Sequence, residues 1–257
     1  MIMKSKLLLA IAILAILLCF AGCTNQAPKE EKVVIVSGHP EWKPVMWLQE
    51  ENQEQKIVGI GPEVVEKVFS ELGFKVDSRF VGPWDAVQLK AKEGEIDAIV
   101  ALYKTKDREQ YLFYSVPYTV DPIEVFVKKG NEFVLQNPES LFEKKGIATI
   151  GDSYGQEIDD LISQQKLEIT RVATPEQAFA LLEKNEGDYF LYSLYSGRRV
   201  IAESNLTNIH ELGTISHENF YIGISKKSPI AELLPEINSI LDRYNRDGTI
   251  QAIAQKY

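Results

Sequence analysis

Cysteine is nearly absent: the 257-residue chain holds Cys19 and Cys23 and no others. If Cys19 leaves with the N-terminal leader described below, one thiol remains and no internal disulfide can form, so the fold must rest on its apolar core. Histidine is scarce too, and His39, His210 and His217 form no metal-ligand spacing; no metal is expected. Positive charge is in deficit, with 28 Lys and Arg against 37 Asp and Glu, which argues against nucleic acid as a partner. After the leader, no apolar run reaches the roughly 18 residues that a membrane-spanning helix needs. The one glycine-flanked turn after a strand, Gly151-Asp152-Ser153-Tyr154-Gly155, lacks both the P-loop lysine and the third dinucleotide glycine. No cofactor is expected.

What is present begins with the leader. Lys4 and Lys6 precede an apolar stretch from Leu7 to Phe20, and Ala21-Gly22 are small residues before Cys23. This reads as an export signal over residues 1–22, too short to span a bilayer comfortably. Small residues before a cysteine resemble the lipobox of exported lipoproteins, in which that cysteine receives the lipid, although Phe20 stands where leucine is usual. The alternative is an ordinary signal cut near Gly22 with Cys23 a plain residue. Residues 23–32, polar and charged, suit a tether. Loss of Lys4 and Lys6 leaves 26 basic residues against 37 acidic, moving the net charge from −9 to −11.

The rest alternates strands and helices. Val33–Val36 is a β-branched strand running into a loop with Pro40, Trp42 and Pro44. Gly59 to Gly73 is a helix with Pro62 near its first turn and Val64, Val65, Val68, Phe69 and Leu72 on its apolar face. Lys75–Val81 alternates as a strand, and Trp84–Lys92 is amphipathic. Later come strands at Val120–Lys128, Ile147–Ile150 and Phe220–Ser225, then helices at Ile230–Tyr244 and Ile250–Tyr257. The turn after Ile150 leads into a helical pattern at Ile158, Leu161 and Ile162, so its free N–H groups could hold an anion.

The stretch Glu93–Tyr118 is the most informative. Ile96–Tyr103 is a buried strand that ends at a charged loop, and in α/β sheets ligands meet the carboxyl ends of strands. Arg108 follows. Its planar fork of donors suits a carboxylate; equally, it could be a solvated arginine beside Asp107 or Glu109. A second segment echoes the first. Ala86 to Gly94 leads through Asp97 to a strand ending at Tyr103, and Ala178 to Gly187 leads through Asp188 to one ending at Tyr195. Any α/β unit can look like this, or the chain holds two similar lobes whose strand ends face one cleft.

Several segments together resemble the family 3 solute-binding proteins of ATP-driven importers, the group that includes polar amino acid receptors. These are G-I-G-P-E-V-V from Gly59, W-D-A-V-Q-L-K-A-K-E-G-E-I-D-A-I from Trp84, T-K-D-R-E-Q-Y-L-F-Y-S-V-P-Y from Thr105 and R-Y-N-R-D-G-T-I-Q-A-I-A-Q-K-Y from Arg243, in the family's order. The resemblance implies an α/β, two-lobe periplasmic-binding-protein-like (type II) fold joined by two hinge strands, near Pro117–Asp121 and Ser216–Phe220. Lobe 1 would be 33–119 plus 217–257, and lobe 2 120–216.

It also implies a site. Arg108, in the T-x-x-R segment opened by Thr105, matches the arginine that holds a ligand carboxylate. Trp42 and Trp84 match residues that cover the ligand side chain, or are lobe core. Ser153, with Tyr154 beside it, matches a hydroxyl of lobe 2. Ser193 falls where the family has the aspartate that holds a ligand ammonium, which makes a standard α-amino acid less secure than family membership. Tyr103, Tyr192 and Tyr195 could help to frame an aromatic or amphipathic acid, or contact an amine through a ring face.

The function implied is an extracytoplasmic receptor, lipid-anchored through Cys23 and likewise expected to be monomeric. It would capture a small carboxylate-bearing solute by hinge closure for an ABC permease, and would not be an enzyme. Two other readings stay open: an exported cyclohexadienyl-dehydratase-like enzyme on the same fold, with Asp152, Glu218 and His217 near the lobe junction, and a ligand sensor for a membrane partner.

Overall fold

The structure, a computed structural model, describes residues 31–257; the expected leader, Cys23 and most of the expected tether lie outside them. Among the described residues no helix is long and apolar enough to cross a membrane.

Strand β1 (Val33–Ser37) buries Val34 and Val36 and pairs in parallel with β5 (Lys75–Ser78) on one side and β6 (Ala98–Leu102) on the other. Strand β6 is buried at every residue, so its apolar run has no alternating face. Helix α1 (Ile60–Glu71) reaches β5 with Val64, Val65, Val68 and Phe69 turned inward, and α2 (Trp84–Glu93) reaches β6. Helix α2 ends at Gly94, whose φ of 82° is the left-handed conformation that glycine adopts at no steric cost.

No element is expected between Val45 and Val58, and a loop is expected around Pro40 to Pro44. A small antiparallel sheet lies there: β2 (Glu41–Trp42), inside the expected loop, β3 (Met46–Glu51) and β4 (Glu54–Val58). The tight turn between β3 and β4 places Asn52 and Gln53 at φ 51° and 68°, a two-residue hairpin loop without the usual glycine. Its polar, charged sequence reads as loop, which is why the pattern hid it.

After β6 the chain makes a short 3₁₀ turn at Arg108–Gln110, adds β7 (Leu112–Tyr114), and leaves along β8 (Thr119–Lys128). A second α/β unit follows: β9 (Lys145–Thr149), α3 (Gln156–Ser163), β10 (Glu168–Val172), α4 (Pro175–Glu183), β11 (Tyr189–Ser193) and α5 (Leu194–Glu203). The chain returns along β12 (Ile209–Ser225) to α6 (Leu234–Asp247) and α7 (Thr249–Ala254).

The sheet order is β10-β9-β11-β8-β12-β6-β1-β5, with β7 against β12. Strand β12 makes this one sheet from two halves. Ile209 to Phe220 pairs with β8, and the remainder, from Tyr221, pairs with β6 and β7. Thus β8 and β12 form an antiparallel ladder that carries the chain between two lobes.

Several expected boundaries change. Phe220–Ser225 is only the end of β12; His210 to Asn219 had shown no apolar alternation, because this span is half-buried. The helix expected from Ile230 starts as a 3₁₀ turn over Pro229–Leu233 and becomes α-helical at Leu234, where Pro235 occupies the first turn, a position that needs no N–H donor. Strand β11 stops at Ser193, so Tyr195 lies in α5 and is 49% exposed. The last helix ends at Ala254, before the expected Tyr257.

Candidate functional site

The carboxyl ends of β1, β6, β9 and β11 converge. The segments after β1, β6 and β9 carry His39 and Trp42, Tyr103 to Arg108, and Asp152 to Tyr154, and β11 itself ends in Tyr192 and Ser193. Direct bonds join the two sides. Trp84 Nε1 donates to Gly151 O at 3.0 Å, Tyr192 OH to Glu41 O at 3.3 Å, Ser196 Oγ to Lys43 O at 2.6 Å, and Lys106 N to Gln156 Oε1 at 2.9 Å. His39 Nε2 lies 3.4 Å from Asp152 Oδ1. These segments therefore meet as the two walls of one cleft.

Arg108 is 6% exposed, which rules out the solvated-surface alternative. Its Nε donates to Gln88 Oε1 at 3.0 Å, its Nη1 donates to Tyr103 O at 3.1 Å, and its guanidinium lies 5.3 Å from the centre of the Trp84 ring. Thr105 Oγ1 accepts from Arg108 N at 3.3 Å and so shapes the turn. A guanidinium has five N–H donors, and these bonds use two. Among the described residues Arg108 joins no ion pair within 4 Å. A buried cation without a carboxylate in contact is costly, and here its fork is held in place by neutral acceptors.

Aromatic rings make one wall. Trp42 meets Phe220 at 5.0 Å, Tyr103 at 5.2 Å and His39 at 5.8 Å between centroids, in edge-to-face contacts. Trp84 lies 5.5 Å from His39. Both indoles are thus buried side chains and cleft walls at once, so the two alternatives for them are not exclusive. The Trp42 Nε1 donor is buried and has no acceptor among the described residues.

Hydroxyl and carboxyl groups form the remainder. Tyr103 OH donates to Asp121 Oδ2 at 2.5 Å and Ser193 Oγ donates to Asp121 Oδ1 at 2.8 Å. Asp121, on the hinge strand β8, therefore ties the end of β6 to the end of β11. Burial pushes its carboxyl up to about 7, against the pull of those two hydroxyls and with the Glu218 charge adding to the rise. Asp152 behaves oppositely. Burial opposes its charge, but His39, the Thr149 hydroxyl and Arg108 outweigh that and hold it below the usual carboxylate range. Tyr154 OH accepts from Thr149 N at 2.9 Å, and Ser153 Oγ hydrogen-bonds Asp159.

The eight expected ligand residues thus fall around the cleft, but with different freedom. Tyr103, Ser153, Tyr154 and Ser193 spend their hydroxyls on protein partners, whereas Arg108 and Trp42 keep donors unspent. The sequence offers neither His39 nor Asp121 as a ligand residue, and Asp152 only as part of the Gly151–Gly155 turn and of a possible enzyme site. The signals are two carboxylates, Asp121 and Glu124, inside the otherwise apolar strand T-V-D-P-I-E-V-F-V, and a histidine two residues past the first strand.

Two α/β lobes joined by a pair of crossing strands, with a buried cationic group facing an interlobe cleft, define a two-lobed binding protein of the periplasmic type. The chain belongs to the bacterial extracellular solute-binding proteins, family 3, whose model matches residues 34–257. It is 23% identical over 258 residues to the probable amino-acid-binding protein YxeM of Bacillus subtilis, covering 99% of this chain and 95% of that one. It is 21% identical over 208 residues to the L-cystine-binding protein TcyJ of Escherichia coli, covering 80% and 76%. A crystal structure of a mutant of ArgBP from T. maritima superposes with a TM-score of 0.70 at 21% identity, covering 88% of this chain and 94% of that one, which supports the fold.

Proposed function

We propose that the protein captures a small carboxylate-bearing solute, an amino acid or related compound, between its lobes outside the cytoplasm and hands it to an ABC permease. The observation that carries this reading is Arg108: a buried guanidinium, fixed by Gln88 and Tyr103, with donors to spare and no carboxylate in contact. Trp42 and Trp84 cover the solute, and Trp42 Nε1 offers it a further donor. Thr105 and Gln88 keep the arginine aimed; Tyr103, Tyr154, Ser153 and Ser193 shape the walls. The relatives named above carry amino-acid and cystine binding in their names, which supports the solute class and supports binding without turnover.

The lobes are residues 33–119 with 217–257, and 120–216, and they close about the crossing strands β8 and β12. Cys23 carries the lipid that holds residues 23–32 at the membrane, after removal of residues 1–22, and the protein works as a monomer.

Calorimetric titration of a panel of small carboxylates tests the site. The expected result is saturable binding of at least one, recovered chemically unchanged, and loss of that binding in Arg108→Ala. Equal affinity in both proteins would remove Arg108 from the site, and conversion of the ligand would replace the receptor with an enzyme.

A further inference from the structure

The cleft holds a second fixed charge, of opposite sign to Arg108. Asp152 is 12% exposed on its side chain and sits directly after Gly151, whose carbonyl accepts the Trp84 indole N–H. The same indole carries the Arg108 guanidinium on its ring and His39 beside it. One ring therefore fixes where the cation of one lobe and the anion of the other stand.

The state of Asp152 follows from its neighbours. His39 Nδ1 accepts from Glu41 N at 3.0 Å, which leaves the imidazole proton on Nε2, aimed at Asp152 Oδ1. Thr149 Oγ1 donates to Oδ2. A carboxylate offers about four acceptor positions, so these two donors orient the group and leave acceptor capacity over. The Asp121 carboxylate likewise takes one donor on each oxygen, both of them hydroxyls.

We infer that Asp152, oriented by His39 and Thr149, is the specificity-determining residue that accepts a cationic nitrogen of the ligand while Arg108 holds its carboxylate. This rests on the carboxylate reading above. It assigns the selection for a zwitterion to the loop after β9 in lobe 2, where the expected hydroxyl residues Ser153 and Tyr154 are already committed to Asp159 and Thr149. Ser193 takes no part in it, because its hydroxyl is bound to Asp121.

The test uses matched pairs. The standard amino acids and L-cystine are each titrated calorimetrically against the same acid lacking its α-amino group, on wild type and Asp152→Asn, with melting curves to establish that the variant is folded. The expected result is that wild type prefers an amino acid over its des-amino partner by at least about thirtyfold. In Asp152→Asn that ratio falls to within about threefold, the des-amino acid binding as before. An unchanged ratio in a folded Asp152→Asn overturns the assignment and leaves the carboxylate reading standing. So does a wild type that binds the des-amino acids equally well, a result that needs no variant. If wild type binds neither member of any pair, the assignment and the carboxylate reading fall together.

Discussion

In the first lobe Asp97 Oδ2 accepts the Ile35 N–H at 2.8 Å while Asp97 N donates to Ile35 O at 2.8 Å. In the second, Asp188 Oδ2 accepts the Lys145 N–H at 2.7 Å while Asp188 N donates to Lys145 O at 2.7 Å. Each aspartate clamps its lobe's central strand, Asp97 at the middle of β1 and Asp188 at the first residue of β9, and each lobe places that strand between two parallel neighbours, β5-β1-β6 and β10-β9-β11. The strand exits differ. Past β6 the chain runs through a loop to Arg108, whereas past β11 a helix starts at once, with Ser193 Oγ accepting from Ser196 N at 3.5 Å as its cap. Backbone pairing repeats because both units must satisfy the same N–H and C=O groups; the side chains past the strand ends do not, because they lie beyond the last paired residue.

Breaking the two exits should separate them most. Arg108→Ala is expected to weaken solute binding by about 2 to 5 kcal/mol, the range for stripping one side of a buried charge pair, with the melting temperature little changed. Ser193→Ala should cost about 1 kcal/mol of stability, for one cap and one buried hydrogen bond. Calorimetry and melting curves on both variants measure the contrast, which equal binding losses would erase.

The hinge gives the next largest effect. The folded Asp121 carboxyl titrates at about 7, well above an ordinary aspartate, so between about pH 4 and 7 the folded protein holds a proton that the unfolded chain has released. Stability from this group is therefore greatest at the acid end of that window and is lost as pH rises through 7, by on the order of 3 kcal/mol. Denaturation curves at pH 5 and pH 8 should differ less in Asp121→Asn than in wild type. An identical pH dependence would show that Asp121 titrates normally.

The repeated clamps come third. Asp97→Ala strands the Ile35 N–H and the Ser228 hydroxyl, and should destabilise by about 2 kcal/mol. Asp188→Ala, whose bond to Lys145 N is exposed, should cost less, about 1 kcal/mol. Urea denaturation would sharpen the comparison if that order holds and break it if it reverses. Smallest of all, Trp84→Phe keeps an aromatic ring and loses the indole N–H bond to Gly151 O, for an expected severalfold loss in affinity.

Much of this architecture was legible beforehand. The two clamps were visible as Asp97 and Asp188 at matching points of the sequence echo, and Arg108 stood out as an arginine just past a buried strand. The glycines of the echo do different things. Gly94 supplies the left-handed stop after α2, but after α4 that conformation falls on Asn185, at φ 59°. Gly187 instead lies where an added Cβ would come within 2.6 Å of Ile147 Cδ1, so it serves close packing. What the sequence hid depends on pairing between distant segments. The length of β12 is set by its ladder with β8, and the roles of Asp121 and His39 appear only when β6, β8, β9 and β11 converge.

Whether one guanidinium of lobe 1 grips a carboxylate can be read by mass spectrometry of the small molecules released on unfolding the purified protein. Wild type should release a carboxylate-bearing solute in near-stoichiometric amount, and Arg108→Ala, purified alongside, should release little or none. A solute without a carboxylate, or the same yield from both proteins, would contradict that grip.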